Sequence, residues 1–221
     1  MTVHPLVVRA GWVCSLLLVL SALRPQPAAA GPVFDAFKSA VAAIDDYTVT
    51  IAVHETDGHA TEDRVYTYSF KRPHYAKIAI TAGAGRGGGA VWTGGDTLTG
   101  HQGGMLSFLK LKINIHDRRA VSLIGDTIDE ASLPALVEHL ATVPGTLTER
   151  AGPAIGGLAT DEIRLDVTDP KADRKVTREL LFVSPATHLP MRRQRYEDTL
   201  LVKQEDFSGF KLNVGLTAAD F

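Results

Sequence analysis

The chain has 221 residues, 45% of them hydrophobic, 22% charged and 7% aromatic, a composition that fits one globular domain with an appendage and argues against a disordered polymer or two large domains. Its 23 basic and 25 acidic side chains leave a formal charge of −2, so no global field draws it onto nucleic acid. The single cysteine, Cys14, excludes an intramolecular disulfide framework and a four-cysteine zinc site.

Met1 to Arg9 carries one arginine and no acid, Ala10 to Leu23 is almost wholly apolar, and the small residues Ala28-Ala29-Ala30 follow. That order predicts a secretory signal over residues 1–30, cut after Ala30, with residues 31–221 as a single domain. The apolar run of 14 residues is shorter than the roughly 20 that a membrane-spanning helix needs. Cys14 lies inside the run rather than at its end, which argues against lipid attachment there. Cleavage removes Arg9 and Arg24 and no acid, leaving 21 basic against 25 acidic groups and no cysteine. A cysteine-free exported domain suits a bacterial periplasm.

In the mature chain, Phe34, Phe37, Val41 and Ile44 fall at helical spacing and predict a first amphipathic helix. From Tyr47 the period becomes two, and Asp57-Gly58 supplies a turn into a partner strand that ends at Arg72-Pro73. Strands follow over Tyr75–Thr81, Ala90–Trp92 and Thr97–His101, and the clearest alternation is Leu109–His116, with Leu109, Leu111, Ile113 and Ile115 assigned to a buried face. Ser132 as N-cap, Pro134 in the first turn and the stripe Leu133, Leu136, Val137, Leu140 predict a second helix, stopped at Pro144-Gly145. Alternation resumes at Ile163–Val167, Thr177–Val183, Leu189–Tyr196 and Thr199–Phe207. Successive hairpins without crossover helices predict an antiparallel sheet. The fold class is therefore α+β: a strongly curved antiparallel sheet of about ten strands, an unclosed β-barrel, with two helices on its concave side and an apolar cleft between them.

Other signatures are weak. The run Gly83–Gly89 lacks the Gly-Lys-Ser/Thr ending of a phosphate loop and leads into a strand, so it reads as a mobile hairpin connection. The histidines outside the signal form no His-x-x-x-His or His-Glu-x-x-His pair, and no serine lies in a Gly-x-Ser-x-Gly elbow, so no metal, cofactor or catalytic residue is assigned. The cations Arg192, Arg193, Arg195 and Lys203 read as a solvated strand face balanced by Glu197, Asp198, Glu205 and Asp206, with a docking patch as the other reading.

The stretch Leu181-Phe182-Val183-Ser184-Pro185-Ala186-Thr187-His188-Leu189-Pro190-Met191-Arg192, continuing to Phe207 and Asn213, resembles the LolA-like family of periplasmic lipoprotein carriers. Phe70-Lys71-Arg72-Pro73-His74-Tyr75-Ala76-Lys77 is similar to that family's aromatic, basic, proline signature, although its second basic position is usually arginine and is Lys77 here. Val91-Trp92-Thr93-Gly94-Gly95-Asp96-Thr97-Leu98 is similar to the hairpin that follows in those proteins. The resemblance implies an unclosed β-barrel with helices as a lid over an apolar cavity, and a monomer that carries acyl chains or lipidated protein between membranes without chemistry. Donor and acceptor membrane proteins are the implied partners. A sensor domain that captures a membrane protein, with lipid as its trigger, is the alternative, and a hydrolase is a third reading.

The expected cavity contacts are Phe70, Ile78, Ile80, Trp92, Leu111, Ile113, Leu136, Leu140, Leu165 and Met191, with Arg72 and Lys77 at the rim or lid. Each methylene buried there contributes about 0.8 kcal/mol, so one long chain yields useful affinity after ordering costs.

Overall fold

The computed structural model describes residues 31–221, and the signal assigned to residues 1–30 lies outside them. Helix α1 spans Pro32–Ala42, with proline in its first turn and Phe34, Phe37 and Val41 on its buried stripe. Its N-cap, Gly31, offers no side chain, and the free amides of Val33 and Phe34 donate instead to the Glu149 carboxylate at 3.0 and 2.7 Å. A carboxylate there also complements the helix dipole.

Strands β1 (Asp46–Thr56) and β2 (Thr61–Lys71) form the hairpin expected at Asp57-Gly58, with Gly58 at φ 85° in the turn. Strands β3 (Tyr75–Gly83), β4 (Gly89–Trp92), β5 (Thr97–His101) and β6 (Lys110–Asn114) continue the meander to one sheet edge. The chain then crosses the concave face through residues 115–132 and helix α2 (Leu133–Thr142), where Ser132 Oγ accepts from Ala135 N at 3.2 Å. It returns from the opposite edge as β7 (Gly145–Ala151), β8 (Asp161–Val167), β9 (Arg178–Val183), β10 (Pro190–Glu197) and β11 (Leu200–Leu212), and β11 pairs with β1.

All eleven strands are antiparallel in the order β6-β5-β4-β3-β2-β1-β11-β10-β9-β8-β7, and β6 does not pair with β7. Twist of about 20–25° per strand accumulates into a roll that falls short of closure. The count exceeds the expected ten because no strand is expected between Pro144-Gly145 and Ile163: Gly145-Thr-Leu-Thr-Glu-Arg-Ala alternates in exposure but carries one large apolar side chain, Leu147.

Packing is uneven across this sheet. On β1, β2, β8 and β9 the inward residues Tyr47, Val49, Ile51, Tyr68, Phe70, Ile163, Leu165, Leu181 and Val183 are buried against α1 and α2. On β3 and β4 the inward residues Ile78, Ile80, Ala90 and Trp92 are only partly covered. Leu109–Ile115 corrects an expectation: Leu109 and Leu111 are 48% and 42% exposed, because β6 is an edge strand whose inner face meets an opening rather than a helix.

Candidate functional site

A cavity of about 940 Å³ lies under the half of the sheet that the helices leave free, near the upper end of the range for small-molecule sites. Register explains its wall. Ile78 pairs with Ala90, Ala90 with Gly100 and Gly100 with Leu111, so the small residues Ala90 and Gly100 make a trough between Ile78 and Leu111. Leu98, Ile113, Ile80 and Tyr66 extend it, and Leu136 and Ile128 face it from α2 and the crossing segment.

Ile78, Ile80, Leu111, Ile113 and Leu136 are thus the five of ten expected contacts that line the cavity. The other five lie elsewhere. Phe70, Leu140 and Leu165 are 3%, 3% and 1% exposed within the packed core, under the helices rather than on the open half. Trp92 donates from Nε1 to Gly95 O at 2.7 Å and meets His74 edge-on. Met191 is the extra residue of a bulge, between Pro190, opposite Val183, and Arg192, opposite Phe182. Neither rim cation is at the cavity: Arg72 donates to the carbonyls of Ile44 (2.8 Å) and Val41 (3.0 Å), closing the end of α1, and Lys77 Nζ donates to Asp220 O at 2.8 Å.

The second wall is charged and was read differently from the sequence. Arg193, Arg195, Lys203 and Glu205 point inward and are buried with Glu55 and Glu179, rather than forming a solvated face. Arg192 pairs with Asp206 at 2.5 Å and Gln194 with Gln204 at 2.8 Å on the other face of the same strands. Sequence adjacency hid this split, because alternate residues of a strand face opposite sides.

Within the cluster, Arg193 makes a two-pronged pair with Glu179 at 2.9 and 2.8 Å. Lys203 Nζ lies 2.8 Å from Glu55, 2.7 Å from Asp126 and 3.3 Å from Glu205. Asp126 comes from the crossing segment and also binds Arg195 and, at 3.0 Å, Arg174. Leu123 N donates to Glu55 at 3.1 Å and Tyr68 Oη to Ile128 O at 3.0 Å. Residues 115–132 are therefore a strap pinned across the concave face, with Asp126 as its central pin. His139 lies 3.2 Å from Glu179 and 3.7 Å from Asp173.

Burial works to raise the Asp126 carboxyl, but Arg195 and Lys203 outweigh it and hold Asp126 well below the usual carboxylate range. Glu55 and Glu179 are lowered in the same way, against burial, by Lys203 and by Arg193 respectively. Asp173 runs the other way, raised by burial ahead of the opposing pull of His139. Carboxyls with depressed folded values contribute stability that is present above their unfolded values and lost as pH falls through the folded ones. Asp173 opposes this, because its raised folded value costs stability that develops as pH rises through its unfolded value and is complete above its folded one. The melting temperature is expected to hold from pH 7 to about pH 5 and to fall below about pH 4. A circular-dichroism melt series measures this, and an unchanged melting temperature at pH 3 would contradict the buried ion web.

Among the described residues no group of histidine, cysteine and carboxylate side chains is disposed to hold a metal, and no helix is long and apolar enough to cross a membrane. In the loop Gly83–Gly89, Gly87 N donates to Ile80 O and Ile80 N to Gly88 O, both at 2.9 Å, and Arg86 and Gly88 stand on the cavity wall.

An unclosed antiparallel sheet with two helices over its inner face is what the resemblance implied. The fold is α+β, with the unclosed antiparallel sheet expected from the sequence. No protein-family profile and no curated protein matches the sequence. Similar solved structures include a LolA superfamily protein from Nitrosomonas europaea (15% identity, 86% of this chain, 95% of that chain, TM-score 0.40). Lipoprotein LppX of Mycobacterium tuberculosis is another (14%, 84% and 95%, TM-score 0.48). A third is the MucA/MucB complex of Pseudomonas aeruginosa, where the match covers 86% of this chain and 60% of that one at 11% identity and TM-score 0.46.

Proposed function

We propose that this protein is an exported carrier of the periplasm that holds the acyl chain of a lipid or lipidated protein and releases it unchanged. The observation that carries this reading is the two-sided cavity. Ile78, Ile80, Leu98, Leu111, Ile113 and Leu136 offer an apolar bed, while Arg193, Arg195, Lys203 and Glu205 offer a charged end in the same 940 Å³ space. Such a space suits an amphiphile whose tail leaves water and whose head stays polar. Transfer of the tail is favourable by about 0.8 kcal/mol per methylene, and the absence of any covalent step keeps it reversible. Residues 31–221 act as one unit in this proposal.

The test is mass spectrometry of lipid extracted from the purified exported protein, followed by incubation of the loaded protein with acceptor vesicles. Intact lipid that moves to the vesicles is the expected result. Cleaved products formed with turnover would replace the carrier by a hydrolase. Retention of lipid together with stable capture of a membrane protein would replace it by a sensor. A protein that takes up no lipid at all would end the proposal.

A further inference from the structure

The connection between β5 and β6 carries large apolar side chains into solvent. Met105 is 94% exposed, Phe108 78% and Leu109 48%, three within five residues. Single exposed apolar residues are ordinary on a soluble protein, but a contiguous group marks a surface that meets something apolar. The group has a firm base: a Cβ on Gly103 would lie 1.9 Å from Arg86 O, so the connection abuts the backbone of the β3–β4 turn. It also borders the cavity, since Gly103 and Leu111 both line it.

Charge selects the occupant. From Thr61 to Asn114, which spans β2 to β6, seven lysines and arginines face three acids, Glu62, Asp63 and Asp96. Residues 31–221 as a whole hold 21 basic and 25 acidic groups, so this half is positive on a negative protein. Lys110 and Lys112 of β6 are exposed and alternate with Leu111 and with Leu109, which immediately precedes the strand. An apolar tip flanked by exposed lysines matches the boundary between acyl chains and anionic headgroups. Lysines on a five-residue edge strand also discourage pairing with a second copy of the sheet.

We propose that Met105, Phe108 and Leu109, with Lys110 and Lys112, form a docking surface for an anionic lipid bilayer, which sets the cavity mouth at Leu111 against the membrane. This deepens the carrier reading and relies on it only for what passes through the mouth. The tip enters the headgroup region, the lysines stay among the phosphates, and a lipid tail reaches the trough beside Gly100 without crossing open water.

The exported protein, its N terminus checked by mass spectrometry, is floated with vesicles of phosphatidylcholine and phosphatidylglycerol at 3:1, and with phosphatidylcholine alone. Binding is expected to the anionic vesicles and to weaken as salt rises. Met105→Ser with Phe108→Ser is expected to lower partitioning at least tenfold. Lys110→Glu with Lys112→Glu is expected to lower it at least about 25-fold, at roughly fivefold per lysine. Phe108→Trp is expected to shift its emission to the blue on the vesicles. No vesicle binding by the unaltered protein, or binding that both double variants leave intact, overturns the proposal. Uptake of a fluorescent fatty acid from vesicle-free solution, measured on the same proteins, is expected to be unchanged by either double variant. Vesicle binding without any such uptake supports the docking surface and instead removes the carrier reading.

Discussion

Asp126→Asn is expected to destabilise the protein by about 3–5 kcal/mol, the scale for removing one partner of a buried ion pair. Arg195 is 2% exposed at its side chain and Lys203 7%. Lys203 keeps Glu55 at 2.8 Å and Glu205 at 3.3 Å, whereas among the described residues Arg195 forms its ion pair with Asp126. The amide would leave a fully buried guanidinium without its anion. The strap would also lose its central pin, so fatty-acid exchange should become faster. Urea denaturation reads the first effect and stopped-flow displacement the second. Neutralising both members, as Asp126→Asn with Arg195→Gln, should recover part of the loss. A cost below about 1 kcal/mol in the single variant would show that water screens the cluster and that the strap is held by other contacts.

Ala90→Trp is expected to reduce fatty-acid uptake at least tenfold while costing no more than about 3 kcal/mol of stability, the upper end for small-to-large substitutions. Ala90 stands between Ile78 and Gly100 on the cavity wall. An indole there lies in the trough, and an aromatic residue suits a strand. The ring occupies space that is empty in the folded protein, so it displaces ligand rather than packed side chains. Isothermal titration with a long-chain fatty acid, alongside a thermal melt, separates these effects. Full affinity in a folded Ala90→Trp protein would mean that the acyl chain binds elsewhere.

Much of the fold was legible because periodicity is local. Phe34, Phe37 and Val41 defined α1, Ser132 and Pro134 placed the start of α2, and the alternation from Tyr47 gave β1 and its hairpin. Strand β7 escaped because its alternation is carried by threonines and Glu149, which have no hydrophobic contrast. Glu149 itself is legible only in the fold, since it caps a helix 115 residues away in sequence.

The candidate site divides along the same line. Ile78, Ile80, Leu111 and Ile113 belong to inward faces that the period of two identifies. Nothing local distinguishes Ile78, on the cavity wall, from Phe70, in the packed core, because both alternate in adjacent strands. What separates them is which part of the sheet α1 and α2 cover.

The sequence by itself determined an antiparallel, two-helix α+β chain with one apolar face, because side-chain alternation and helix caps act over a few residues. Tertiary structure alone decided that this face is half packed and half hollow. It also decided that Arg193, Arg195 and Lys203 turn inward to meet Asp126 from a distant segment. Burial and ion pairing depend on how far the sheet rolls and on where the strap crosses it, and both arise from contacts between residues far apart in the chain.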